Sequence, residues 1–333
     1  HVAWWRTAIE RYIQTCGNDE AAAVRAMTGD CIASIPKFVF EALPPRDKTL
    51  AVTLLLPLAT DAETQVRAAA CRAMGVLVLF PSLAEDPFFV SDMAASVLEQ
   101  MQDPSIFIRT RASWALANLC DAIVTESEKD EFDFREYMSV NTWERILSAA
   151  SAAGLDNDKL RSNAVRALGS LLHVSPEDNL LMPRHLRLIK QAMLALMKNI
   201  ETGSLKTRWN ACHAASSMLK NPSFPIGQAQ FPWTAGLYAA LIQSLLHCRN
   251  YKVRIHACMA LATPTSLDKY GDQYPAVQKA IASAQQACSE EQEGEYQEYR
   301  YKEQLEAQAS SVKKKRKGRR DKKRLISVSI FPF

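Results

Sequence analysis

Six histidines (His1, His173, His185, His213, His247 and His256) and eight cysteines (Cys16, Cys31, Cys71, Cys120, Cys212, Cys248, Cys258 and Cys288) are the side chains best suited to metal or nucleophilic chemistry. Their spacing supports neither. No two cysteines stand as C-x-x-C and none has a histidine at zinc-finger distance, so no metal or disulfide framework is expected. Most of the cysteines lie in apolar helical stretches, where a thiol acts as a small buried hydrophobe, and that favours a reducing compartment. The sequence holds no G-x-S-x-G, Walker A, G-x-G-x-x-G, H-E-x-x-H or deaminase zinc pattern. Paired acids occur only in a loop and a tail, with no pocket to raise a carboxylate pKa. The expectation is a chain that is not an enzyme and has no cofactor. What remains is recognition chemistry, since Trp and Arg join large contact area to directional polar contacts. The candidate partner-binding residues are Arg72, Trp114, Arg166, Trp209 and His213.

These five fall at fixed places in a repeat. Arg25, Arg67, Arg109, Arg161, Arg208 and Arg254 are spaced by 42, 42, 52, 47 and 46 residues, the period of stacked helical hairpins. Before each stands Val24, Val66, Ile108, Leu160, Thr207 or Val253. Three residues after come Thr28, Ala70, Ala112, Ala164, Ala211 and Ala257, and six after come Cys31, Ala73, Ala115, Ala167, Ala214 and Ala260. Offsets −1, +3, +6, +7 and +10 from each arginine form one apolar helical face, and the small residues on it let neighbouring helices approach closely. An amphipathic helix precedes each signature helix: Trp4 to Thr15, Thr49 to Ala59, Phe88 to Gln102, Trp143 to Ala153, Leu186 to Ile200 and Trp233 to His247. Asp86-Pro87 and Asp103-Pro104 read as N-caps with a first-turn proline.

The pattern around Asp61 to Gly75, DAETQVRAAACRAMG, resembles the HEAT repeat family, whose second helix begins D-x-x-x-x-V-R-x-x-A-x-x-A-L. The resemblance implies an all-α, right-handed solenoid of armadillo/HEAT type, here of about six hairpins plus a degenerate C-terminal unit. It also implies a polar ladder in which Asp19, Asp61 and Asp103 meet Arg25, Arg67 and Arg109. Arg161, Arg208 and Arg254 hold the same place in units that lack Asp at that offset. In such a stack the second helices line the concave face. Offsets +1, +5 and +12 point away from the apolar face of a 100° wheel, and there stand the five candidate residues together with Asp121, His173, Lys220 and Met259. Asn163 and Asn210 flank this ridge. The family carries no enzymatic activity, and the implied role is a scaffold that binds other proteins.

Residues 1–287 are read as the repeat domain and 288–333 as a polar, then basic, low-complexity tail. The chain opens on His rather than Met and is expected to be an excerpt of a longer array. Two inserts interrupt the period. Asp121 to Asn141 is acidic and reads as a loop, whereas Lys220 to Trp233, with three prolines and three aromatics, reads as a segment packed on the solenoid edge. Lys313, Lys314, Lys315, Arg316, Lys317, Arg319, Arg320, Lys322, Lys323 and Arg324 form a run of local charge +9. Removing it from the net +4 leaves −5 for the remainder, which is not a body built around a phosphate backbone. The run reads as a nuclear localisation signal, a patch for nucleic acid or anionic lipid, or non-native translated sequence. Nucleic acid is thus a partner only through the tail, and a nuclear transport or nucleic-acid-associated factor is the second functional reading. No apolar stretch approaches the ~18 residues of a membrane span. A soluble protein of cytoplasm, nucleus or both is expected.

Overall fold

The computed structural model describes residues 1–290 and 304–310. Among them there is no strand, and the chain runs as thirteen main helices. The first, α1, comprises Val2–Thr7, the π-helical Ala8–Ile13 and Gln14–Cys16. The others are α2 Ala22–Ala33, α3 Pro45–Leu55, α4 Thr64–Leu77, α5 Pro87–Gln100, α6 Ile106–Glu126, α7 Val140–Leu155 and α8 Asp158–Val174, then α9 Pro183–Thr202, α10 Leu205–Leu219, α11 Trp233–His247, α12 Tyr251–Ala262 and α13 Tyr274–Glu290. The even-numbered helices α2 to α12 carry the signature arginines, and each pairs with the odd-numbered helix before it.

Short polar side chains start these helices by taking up N–H groups that lack an intrahelical partner. Asp86 accepts from the Phe88 N–H ahead of Pro87, Asn157 from Lys159, Ser204 from Thr207 and Asn250 from Val253. Asp103 departs from expectation. Ser105 is the N-cap residue of α6, and Asp103 closes the turn before it, accepting from the Ser105 N–H at 2.7 Å. Its other oxygen is thereby left for an arginine of the preceding hairpin.

Within each hairpin the apolar face points inward; in α4, Val66, Ala70, Ala73, Met74 and Leu77 are all buried. Even helices stack on even helices and odd on odd, and the even row packs more extensively. Small residues make that possible. A Cβ on Gly169 would stand 2.5 Å from Ala214 Cα, so α8 and α10 meet backbone to backbone. The solvent side of this closely packed even row is the surface on which the sequence places the candidate recognition residues.

The acidic insert is more ordered than a loop. The α6 helix runs on to Glu126 because Ala122 and Ile123 have apolar neighbours to bury against, and Phe134–Tyr137 forms a short helix with Phe134 buried. Lys129 pairs with Glu85 and Glu126 at 2.6 Å each, and Arg135 with Asp178 at 2.5 Å. The second insert packs down: Phe224, Ile226 and Phe231 are buried, and Trp233 Nε1 donates to the Pro225 carbonyl at 2.8 Å. At the C-terminal end α13 lies on α11, and the helical stretch 304–310 buries Leu305 and Ala309. The basic run 313–324 lies outside the described residues.

Candidate protein-interaction surface

The signature arginines stitch the stack together. Each of the first three bonds its own turn and the turn of the next unit. Arg25 Nη1 donates to the carbonyls of Asp19 and Glu20, while Nε and Nη2 grip Asp61 at 2.7 and 3.0 Å. Arg67 repeats this with the carbonyls of Asp61 and Ala62 and with Asp103 at 3.0 and 2.9 Å. The guanidinium of Arg25 holds the Asp61 carboxyl below its ordinary pKa. Arg109 binds the carbonyls of Asp103 and Pro104 and lies 3.6 Å from Asp156, which replaces the missing ladder residue one position later in its turn.

Beyond that rung the geometry changes. Arg161 donates to the Asp156 carbonyl and pairs with Asp158 of its own helix. Arg208 takes the Ile200 carbonyl at 2.9 Å and the Ser244 hydroxyl at 3.3 Å, and Arg254 takes the Leu245 carbonyl at 3.0 Å. The carbonyl half of the motif therefore persists where the carboxylate half stops. Asp19, at the open end of the row, is exposed, and its carboxylate accepts from the Ala21 N–H.

The five candidate recognition residues all lie on the even-helix row, and the structure engages most of them sideways. Arg72 pairs with Asp30 of α2 at 3.0 Å. Trp114 is half-buried over α4, where a Cβ on Gly75 would stand 2.6 Å from its ring. Arg166 pairs with Asp121 at 3.0 Å and bonds the Asn118 side-chain carbonyl. Of the expected exposed ridge, these three residues mainly tie one hairpin to the next. The flanking asparagines do the same: Asn163 donates to Ser113, and Asn210 to the carbonyl and hydroxyl of Ser162.

Trp209 and His213 sit differently. His213 is exposed and meets His256 edge-on at 5.5 Å, while the Trp209 ring stacks on His256 at 5.4 Å and carries Lys252 Nζ 3.8 Å above it. The His256 Nδ1 is buried without a hydrogen-bond partner. Burial, then the neighbouring His213 and Lys252, push the pKa of His256 down to about 4; partial desolvation of its ring among the packed side chains, then Lys220 and Arg166, lowers that of His213. Neutral rings at ordinary pH make this an aromatic patch edged by one cation, assembled from α10 and α12. Asp30, Lys252 and His256 were not among the sequence candidates. Asp30 occupies offset +5 of the first unit and was legible there; the contacts of His256 depend on how α12 is laid against α10.

Outside this face, His185 is fully buried between the Asn179 carbonyl at 2.8 Å and Glu144 Oε1 at 2.6 Å, its ring tilted against that of Trp143. It anchors the short Glu177–Leu181 helix to α7. Among the described residues no group of three His, Cys, Asp or Glu could hold a metal ion, and no helix is long and apolar enough to cross a membrane.

No family model matches the sequence. An uncharacterised protein of Dictyostelium discoideum is 25% identical over 368 residues; the match covers 79% of this chain and 24% of that protein, so the chain spans about a quarter of its relative. Among solved structures, the karyopherin Kap121p bound to the SUMO protease Ulp1p superposes with a TM-score of 0.61 at 12% identity, covering 94% of this chain and 29% of Kap121p. A computationally designed armadillo repeat protein for modular peptide recognition gives 0.53 at 16% identity, over 80% of this chain and all of the design. A HEAT-like repeat protein from Thermococcus onnurineus gives 0.50 at 16% identity, over 89% and 99% of the two chains. At these identities the likeness is one of fold, and the fold of this chain is the all-α solenoid shared by armadillo and HEAT repeat proteins.

Proposed function

We propose that the chain is a non-enzymatic scaffold that binds protein partners along the inner face formed by its even-numbered helices. The observation that carries this reading is the patch of Trp209, His213, Lys252 and His256: two consecutive hairpins build one accessible aromatic surface, a combination typical of interface anchors. The structural neighbours, a karyopherin with a bound protease and a peptide-recognising design, agree with it. In sequence, VRAAACRAMGVLVLFPSL, LRSNAVRALGSLLHV, TRWNACHAASSMLKNPSFPIG and YKVRIHACMAL resemble the C-terminal region of HEAT repeat-containing protein 6, over about residues 60 to 287. That resemblance carries no ligand with it.

Affinity purification with quantitative mass spectrometry tests the reading. Trp209→Ala combined with His213→Ala should remove a defined set of partners while circular dichroism and melting stay near those of the parent chain. An unchanged partner set in a folded double variant rejects the inner face as the binding surface. The second reading, a nuclear or nucleic-acid-associated factor acting through residues 313–324, rests on the composition of that run. Its signature is a binding constant that falls steeply with salt and vanishes when the run is neutralised.

A further inference from the structure

Charge on the even helices is not spread evenly. In α8, α10 and α12 together there are seven Lys or Arg and one acid, Asp158, which is paired with Arg161. Two residues before each signature arginine stands a lysine: Lys159, Lys206 and Lys252, in three consecutive units. On the helical wheel this position lies about 20° from offset +5, so each lysine shares the solvent side with Arg166, His213 or Met259. Lys159 and Lys206 are exposed and enter no ion pair among the described residues, and Lys252 rests on the Trp209 ring. The corresponding residues of the first three units are Ala23, Gln65 and Phe107, so the lysine row belongs to one half of the array.

Resting on the inner-face reading above, we propose that units four to six bind an extended acidic segment of a protein partner, with Lys159, Lys206 and Lys252 as three successive contact points. Neighbouring helices pack roughly 8–10 Å apart, and an extended chain advances about 3.3 Å per residue. One lysine per hairpin therefore matches an acidic residue at every third position of a peptide crossing the helices. The apolar side of that peptide lies on Trp209, which is partly exposed, three positions after Lys206 and directly under Lys252. Asp121, on the even helix of the preceding unit, is held by Arg166 at 3.0 Å, and Asp158, next to Lys159, is held by Arg161 at 2.8 Å.

Fluorescence anisotropy with labelled fifteen-residue peptides in a Gly/Ser background tests the match, using the full chain at low salt. The panel carries five Glu at every third position, five Glu in one block, or five Lys at every third position, with oligothymidylate as a fourth probe. Binding of the every-third Glu peptide should exceed that of the blocked one, and Lys159→Ala/Lys206→Ala/Lys252→Ala should erase that preference with roughly tenfold loss of affinity. The basic run 313–324 attracts acidic peptides without regard to spacing, so the spacing preference is the quantity read. Equal binding of spaced and blocked peptides, or a preference that survives the triple substitution, overturns the proposal. Stronger binding of oligothymidylate with the same lysine dependence overturns it in favour of a nucleic-acid face. If Trp209→Ala weakens every peptide whatever its charge, the lysine row fails while the inner-face reading stands; if no inner-face substitution matters, both fail.

Discussion

Replacing Arg67 by Ala removes four hydrogen bonds at once: two to the Asp61 and Ala62 carbonyls and two to Asp103, all between 2.7 and 3.0 Å. The cost is dominated by what is left behind. Asp103 has a side chain only 6% exposed and would keep a single donor, the Ser105 N–H. Breaking a desolvated ion pair by deleting one member typically costs about 3–5 kcal/mol, and because Arg67 itself is partly exposed we take about 3 kcal/mol. Arg161→Ala is the matched control. The same sequence position there holds one carbonyl and an Asp158 that is 75% exposed, which limits the loss to about 1 kcal/mol. Urea unfolding followed by circular dichroism measures both, and a double-mutant cycle with Asp103→Asn isolates the pair, with an expected coupling of about 2 kcal/mol. Equal losses for the two arginines, or a coupling below about 0.5 kcal/mol, would refute the view that the carboxylate rungs hold the first three units together.

Three other outcomes are expected. Gly169→Ala should cost about 2 kcal/mol despite the better helix propensity of Ala, because the new methyl meets the α10 backbone, whereas Gly236→Ala should be close to neutral because its nearest neighbour is the flexible end of Met197; paired urea melts compare them. Burial holds His173 and His256 at about 4, below the unfolded value near 6.5, so the unfolded chain takes up protons first and stability falls as pH drops from 6.5 towards 4. Allowing for their partial exposure, the two together should cost about 2–3 kcal/mol between pH 7 and 5, and His256→Gln should flatten the measured slope. The thiols of Cys71 and Cys212 are pushed up to about 12 by burial, so iodoacetamide at pH 8 should label the half-buried Cys16 and Cys31 long before either, as read by peptide mass spectrometry.

The hairpin register was legible because one arginine and two alanines recur at fixed offsets and the apolar face follows from them: Val66, Ala70, Ala73 and Met74 are buried where the wheel puts them. The wheel was weaker on the solvent side. It separates inward from outward within one helix but does not say how far a neighbouring helix overlaps, and that overlap is what covers Trp114 with α4 and pairs Arg72 with Asp30. Nor did offset alone reveal the Asp156 rung, because its turn is one residue shorter than those of Asp61 and Asp103. Ser244 as an acceptor for Arg208 was hidden for another reason: it lies in the partner helix of the next unit, outside any local motif.

The insert after α6 has a mechanical consequence. Lys129 and the Tyr137 hydroxyl reach back to Glu85, while Arg135 reaches forward to Asp178, so one short segment fastens two points 93 positions apart along the chain. A stacked array stretches like a coil spring, by small angular changes at every joint. Across the span between Glu85 and Asp178 this segment acts as a tie rod, which resists opening until its contacts let go. Those contacts are two solvent-exposed ion pairs, weak singly and screened by salt, and one exposed hydrogen bond. The tie is therefore a fuse: under load or high ionic strength it parts first, and the middle of the spring softens before its buried joints are disturbed.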